Sequence, residues 1–135
     1  MSKQEEAGLI LKLYELRREE TMRKARDWYF RDFHPQSIAD FTDAMFSEHS
    51  GQLRALVAYW DMAAALVNDG AVSLELFNST FSEHIVVFAK IEPMLQEIRD
   101  VFAPAFAANI EKLIDATPGG RKLVAKAHDR IKATH

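Results

Sequence analysis

The sequence predicts an all-helical protein, a single-domain bundle of five to seven helices. Two apolar stripes with helical spacing flank the turn at 68–70, one over residues 53–67 and the other over residues 77–95. No segment alternates polar and apolar residues for long enough to indicate a β-strand. At 135 residues, a chain of this length buries roughly two thirds of its unfolded surface in one core. We therefore treat residues 1–135 as one helical domain.

Residues 3–33 predict one long N-terminal helix, because oppositely charged side chains recur one turn apart along them. The apolar residues form two clusters, at 9–16 and 22–33, with the polar segment 17–20 between them. Pro35 ends the helix, since proline disfavours the α conformation in the residue before it. Two apolar clusters exceed what one compact bundle needs. We therefore expect this helix to pair with a second copy of the chain in a homodimer.

Residues 37–103 are the central hairpin region. We expect a short helix at its start, capped by Ser37, and then two antiparallel helices. Gly70 supplies the left-handed conformation at the end of the first arm. Pro93 lies inside the second arm, so we expect a kink or a new helix there. We expect the C-terminal helices within residues 104–135.

The composition excludes several functional classes. The chain has no cysteine, which excludes disulfides, thiolate metal sites and a cysteine nucleophile. The first residues lack the order of a secretion signal, and the apolar run 9–11 is too short to span a bilayer. We therefore expect a cytoplasmic protein with no membrane contact.

Charge is unevenly distributed along the chain. Residues 35–100 carry ten acidic and three basic side chains, whereas residues 121–135 carry five basic and one acidic side chain. A basic terminal helix can contact nucleic acid, but it is more often a solvated face that complements the dipole of its own C-terminus. Nucleic-acid binding is therefore not our prediction.

The tetrapeptide Phe-Ser-Glu-His occurs twice, at 46–49 and 81–84. Helical di-metal sites use Glu-x-x-His, because that spacing puts both ligands on one helix face. Here glutamate and histidine are adjacent, about 100° apart around the axis. Neither histidine has a carboxylate three or four residues away. The repeat therefore predicts no metal site, and no cofactor is predicted elsewhere.

His84 lies on an otherwise apolar helix face, and two interpretations stay open. It is either a core histidine satisfied by one hydrogen bond, or the polar group of a small apolar pocket between helices. The pocket would also involve other residues, namely Glu48, His49, Tyr59 and Asp61. No serine lies in a catalytic setting and no phosphate-binding loop is present, so no catalytic residue is predicted.

The segment 59–77, followed by an apolar helix with Pro93 and then Arg99, resembles a group of small all-helical bacterial proteins of unknown function. In that group an aromatic-led helix ends in a glycine, and the next helix carries a proline before a basic residue. The resemblance covers about residues 37–103 and implies no catalytic residues. Several of these proteins have an N-terminal membrane helix, but charged side chains interrupt the corresponding region here: Lys12, Glu15, Arg17 and Arg18.

These observations favour a non-enzymatic, cytoplasmic module for protein interaction or oligomerisation. The alternative is a small-molecule-binding protein or an enzyme with a pocket between helices near His84 and His49. The residues alone identify no substrate, ligand or partner.

Overall fold

The computed structural model describes residues 2–135, and they are all-helical. Within these residues nine α-helices and one short 3₁₀ turn are present, and no strand. The helices are α1 (Lys3–Arg17), α2 (Glu20–Arg31), α3 (Ile38–Met45), α4 (Ser50–Asn68), α5 (Leu74–Thr80), α6 (Glu83–Ile91), α7 (Leu95–Val101), α8 (Ala108–Ala116) and α9 (Gly120–Thr134). The all-helical prediction is confirmed, although the number of helices exceeds the five to seven expected.

The predicted N-terminal helix 3–33 is corrected to two helices, α1 and α2. Glu19 has an extended backbone with ψ of 152°, which interrupts the helix within the polar segment. The physical reason is a distant carboxylate. Glu83 accepts hydrogen bonds from Arg17 at the end of α1 (3.2 Å) and from Arg26 in α2 (2.8 Å). The break lets side chains from both helices reach it.

Helix α4 occupies the centre of the bundle and packs most extensively on α2 and α8. Its buried face contains Tyr59 and the whole apolar stripe that the sequence predicted, namely Leu53, Leu56, Val57, Trp60, Ala63, Ala64 and Val67. The Tyr59 hydroxyl donates a hydrogen bond to the carbonyl oxygen of Leu13 in α1. Asp61 accepts hydrogen bonds from the backbone N–H groups of Asn109 and Ile110, both at 3.0 Å. Asp61 therefore satisfies the first N–H groups of α8.

The predicted hairpin is present at its turn but not along its second arm. Gly70 has a φ of +87° at the end of α4, as expected. The second arm is divided, because Phe81 is extended between α5 and α6. Helix α6 then packs mainly on α9 rather than along α4. At Pro93 the chain forms the 3₁₀ turn Glu92–Met94, which matches the expected interruption.

Lys90 joins the C-terminal end of α2 to α6 from a buried position. Lys90 is only 6% exposed. Its Nζ donates hydrogen bonds to the carbonyl oxygens of Tyr29 and Phe33, both at 2.6 Å. A third contact of 3.3 Å reaches Nδ1 of His34. Burial lowers the pKa of Lys90 to about 8, so the ammonium remains the main form at neutral pH. Lys90 thus satisfies a carbonyl in the last turn of α2, that of Tyr29, and the carbonyl of Phe33 just after the helix.

Among residues 2–135, no helix has the combination of length and apolarity that crossing a membrane requires.

Lys90→Met should destabilise the protein by about 2 kcal/mol or more, because the carbonyl groups of Tyr29 and Phe33 would lose their donor. Urea unfolding would measure this. Lys126→Met, on the exposed side of α9, is the matched control and should change stability little. Equal stability of the two variants would contradict the role given to Lys90.

Candidate functional site

His84 lies in a fully enclosed aromatic environment. It is 1% exposed, and its ring centroid lies 5.1 Å from that of Phe77 and 5.8 Å from that of Trp60. Within the described residues, neither ring nitrogen has a hydrogen-bond partner, and the same holds for Nε1 of Trp60. Burial lowers the pKa of His84 to about 4. His84 is therefore a neutral core histidine, but without the hydrogen bond expected of one.

The other residues of the predicted pocket have separate partners. His49 contacts Glu48 (Nε2 to Oε1, 3.5 Å) and Gln52 (Nδ1 to Oε1, 2.7 Å), and its ring stacks on Trp28 at 5.1 Å. Tyr59 bonds to α1 and Asp61 caps α8, as described above. The structure thus brings Glu48 and His49 together and gives the remaining residues different neighbours. A pocket around His84 stays a prediction.

No group of three or more His, Asp and Glu side chains in the described part of the chain is placed to hold a metal ion.

The loop between α7 and α8, with the end of α3, forms an exposed apolar surface. Residues 101–107 read Val-Phe-Ala-Pro-Ala-Phe-Ala, without a single polar side chain. Val101 is 64% exposed and Phe46, at the end of α3, is 80% exposed. The rings of Phe46 and Phe102 lie 6.3 Å apart, which joins the two segments. We call Phe46, Val101, Phe102, Pro104 and Ala105 the Phe46 surface.

The core holds the Phe46 surface in place from below. The ring of buried Phe41 lies 5.7 Å from those of both Phe102 and Phe106. Arg99 donates from Nε to the carbonyl oxygen of Phe106 at 3.0 Å and pairs with Glu111 in α8, also at 3.0 Å. These contacts fix both ends of the loop. The surface is therefore preformed, which reduces the entropy lost when it binds.

Exposed carboxylates lie close in sequence to the residues of the Phe46 surface. Asp43 lies one turn before Phe46, and Glu97 lies one turn before Val101. Asp43, Glu97 and Asp100 are exposed, and the side chain of Glu48 is 86% exposed. Arg99, which is also nearby in sequence, is engaged by Glu111 and a backbone carbonyl. These positions indicate an apolar centre with an acidic rim.

The sequence matches a known protein family over most of its length. Residues 4–117 match the model of a family described as a domain of unknown function, DUF4760. The chain belongs to the DUF4760 family. This agrees with the resemblance to a family of unknown function inferred from its sequence. No curated protein and no solved structure gave a significant match.

The Phe46 surface lies entirely inside the DUF4760 match, yet the helical periodicity of the sequence does not find it. Periodicity detects faces that repeat along one helix, whereas this surface combines a loop with the last residue of another helix. The available signal was the uninterrupted apolar run 101–107 between two helices. The burial of Lys90 was also not predicted. A single lysine within the apolar segment 85–91 is expected to extend its ammonium group into solvent.

The enclosed His84 predicts a pH dependence of stability. In the unfolded chain its pKa returns to 6.5, against about 4 in the folded protein. Between these values the unfolded state binds a proton that the folded state does not, so stability falls as the pH falls from 6.5 to 4. The loss is about 3 kcal/mol when complete.

His84→Leu should remove this contribution and should be no less stable at neutral pH, because two unpartnered nitrogens disappear. Urea unfolding of both proteins at several pH values would measure the difference between them. If the difference did not change between pH 7 and pH 4, the assignment to His84 would be wrong.

Proposed function

We propose that this DUF4760 protein is a non-enzymatic protein-interaction module that binds its partner through the Phe46 surface. The observation that supports this proposal is the 80% exposure of Phe46 beside an uninterrupted run of seven apolar residues, 101–107. Monomeric proteins rarely expose contiguous apolar patches, and such patches mark binding sites. Aromatic side chains near the centre of an interface also contribute most of the binding energy.

The rim specifies the partner's chemistry. Asp43, Glu48, Glu97 and Asp100 present negative charge around the apolar centre. Complementary charge raises the association rate and excludes acidic partners. A basic amphipathic helix, with apolar side chains on one face and lysine or arginine beside them, fits both features. We take such a segment of another protein to be the occupant.

A homodimer through the N-terminal helix belongs to the proposal as a second mode of association. Leu11 and Tyr14 lie one turn apart on α1 and are 67% and 45% exposed. The larger apolar residues elsewhere in α1 are used within the domain, since Ile10 and Leu13 are buried and Leu9 and Leu16 pack against the core. An interface on α1 would therefore bury less apolar surface than the two apolar clusters of the sequence would provide if both were free.

A bacterial origin and a cytoplasmic location complete the proposal. The first is implied by the resemblance to bacterial helical proteins, and the second is supported by a composition without cysteine.

Phe46→Ser should weaken binding of a basic amphipathic peptide by about tenfold or more, since it removes a buried phenylalanine from the complex. The probe is a synthetic helical peptide with leucines on one face and lysines on the other, titrated by calorimetry. A peptide with glutamates in place of lysines should not bind, and salt should weaken the complex. Leu123→Ser, at a 44% exposed position on α9, is the control variant.

Equal weakening by Leu123→Ser, or equal binding of the acidic peptide, would overturn the proposal. So would self-association of the wild-type chain that Phe46→Ser alone abolishes, because the occupant would then be a second copy.

Leu11→Glu should convert a dimer formed through α1 into a monomer, because the interface would have to bury an unpaired carboxylate. Sedimentation equilibrium at high micromolar concentration would measure the mass, with Phe46→Ser as the variant that keeps the dimer. A monomeric wild-type chain, or a dimer that Leu11→Glu leaves intact, would exclude this interface.

A further inference from the structure

A second candidate site lies where the end of α2 meets α6 and α9. These elements surround an open cleft of about 360 Å³, which is within the size range of small-molecule sites. Five titratable side chains line it, namely His34, Lys90, His128, Lys132 and His135. None of the lining residues within 2–135 is acidic. It is a cationic feature in a protein of net charge −3.

The fold fixes two of these side chains, Lys90 and His34, and Lys90 supplies a positive charge. Lys90 uses its three N–H groups on the carbonyls of Tyr29 and Phe33 and on Nδ1 of His34. Because Nδ1 of His34 accepts, its Nε2 carries the proton and donates to the carbonyl oxygen of Arg31 at 2.8 Å. The negative end of the α2 dipole is thus neutralised by these donors. The charge of Lys90 still acts on the cleft.

The remaining three side chains come from α9 and its end, and they can meet a ligand directly. The ring of His135 stacks on that of His34 with centroids 3.6 Å apart. Partial desolvation, together with the positive charge of Lys90, lowers the pKa of His135. His128 and Lys132 lie on the same face of α9, four residues apart. Both side chains line the cleft.

The charges around the cleft are unequal on its two sides. Beyond the His34–Pro35 segment another hollow is lined by Asp32, Asp40 and Asp43. On the side of α9, the adjacent hollow includes Arg130. The acidic side chains are thus separated from the cleft by the segment that carries His34, whereas Arg130 adds to its positive potential.

Apolar side chains also line the cleft, namely Ala89, Pro93, Met94 and Ile131. A simple inorganic anion would leave these apolar side chains without a partner. An organic molecule with an apolar body and an anionic head would contact both the apolar and the basic side chains. We infer that the cleft between α2, α6 and α9 binds a small organic carboxylate, with its head toward His128, Lys132 and His135 and its body against Pro93, Met94 and Ile131.

Calorimetric titration with benzoate tests this inference, and benzamide is the neutral control of the same shape. Benzoate should bind and benzamide should bind much more weakly. Lys132→Gln should weaken benzoate binding about threefold to tenfold, the effect of removing one charge at a partly exposed contact. Lys126→Gln lies on the exposed side of the same helix and should have no effect. Lys90 is left unchanged because its replacement affects folding.

Several outcomes would overturn the inference: no benzoate binding, equal binding of benzamide, or equal weakening by Lys126→Gln. Tighter binding of phenyl phosphate than of benzoate would assign the cleft to phosphate esters instead and would also overturn it. Phe46→Ser should bind benzoate as the wild type does, since Phe46 does not line the cleft. Loss of peptide binding and loss of carboxylate binding are therefore separable.

Discussion

The position of α2 depends on a buried ammonium group. Lys90 donates to two carbonyl oxygens of the α2 end at 2.6 Å, and α2 in turn packs along the central helix α4. The same contact orients His34 and the segment that leads to Pro35. A charged side chain is costly to bury unless its donors are satisfied, and here all three are. The junction between α2, α6 and the following segment therefore has one arrangement that satisfies Lys90.

A second long-range ion pair determines how the chain begins. Local charge spacing favours one helix across 3–33, and the break after Arg17 has no local helix breaker to announce it. Glu83 supplies the reason, since its half-buried carboxylate is reached by arginines from both α1 and α2. A partner more than fifty residues away in sequence decides this break. Tertiary contacts outweigh the small local helix preferences of exposed residues.

The predictable parts of the fold are those with local causes. The buried face of α4, its stop at Gly70 and the interruption at Pro93 follow from periodicity and backbone conformation. The candidate site was less predictable. His84 was recognised as unusual, but its enclosure by Trp60 and Phe77 depends on how separate helices meet. A sequence pattern can place a polar residue on an apolar face, yet it cannot say which rings surround that residue.

The contrast between Lys90 and Phe46 points to function. The fold buries a lysine, which carries a desolvation cost, and leaves a phenylalanine 80% exposed, which forgoes about 1.5–3 kcal/mol of burial. Selection for stability alone favours the opposite arrangement at each position. Natural proteins depart from local rules mainly where binding or catalysis requires it. The two departures belong to different places, the lining of the cleft and the centre of the apolar surface, so the two proposed binding roles can be tested separately.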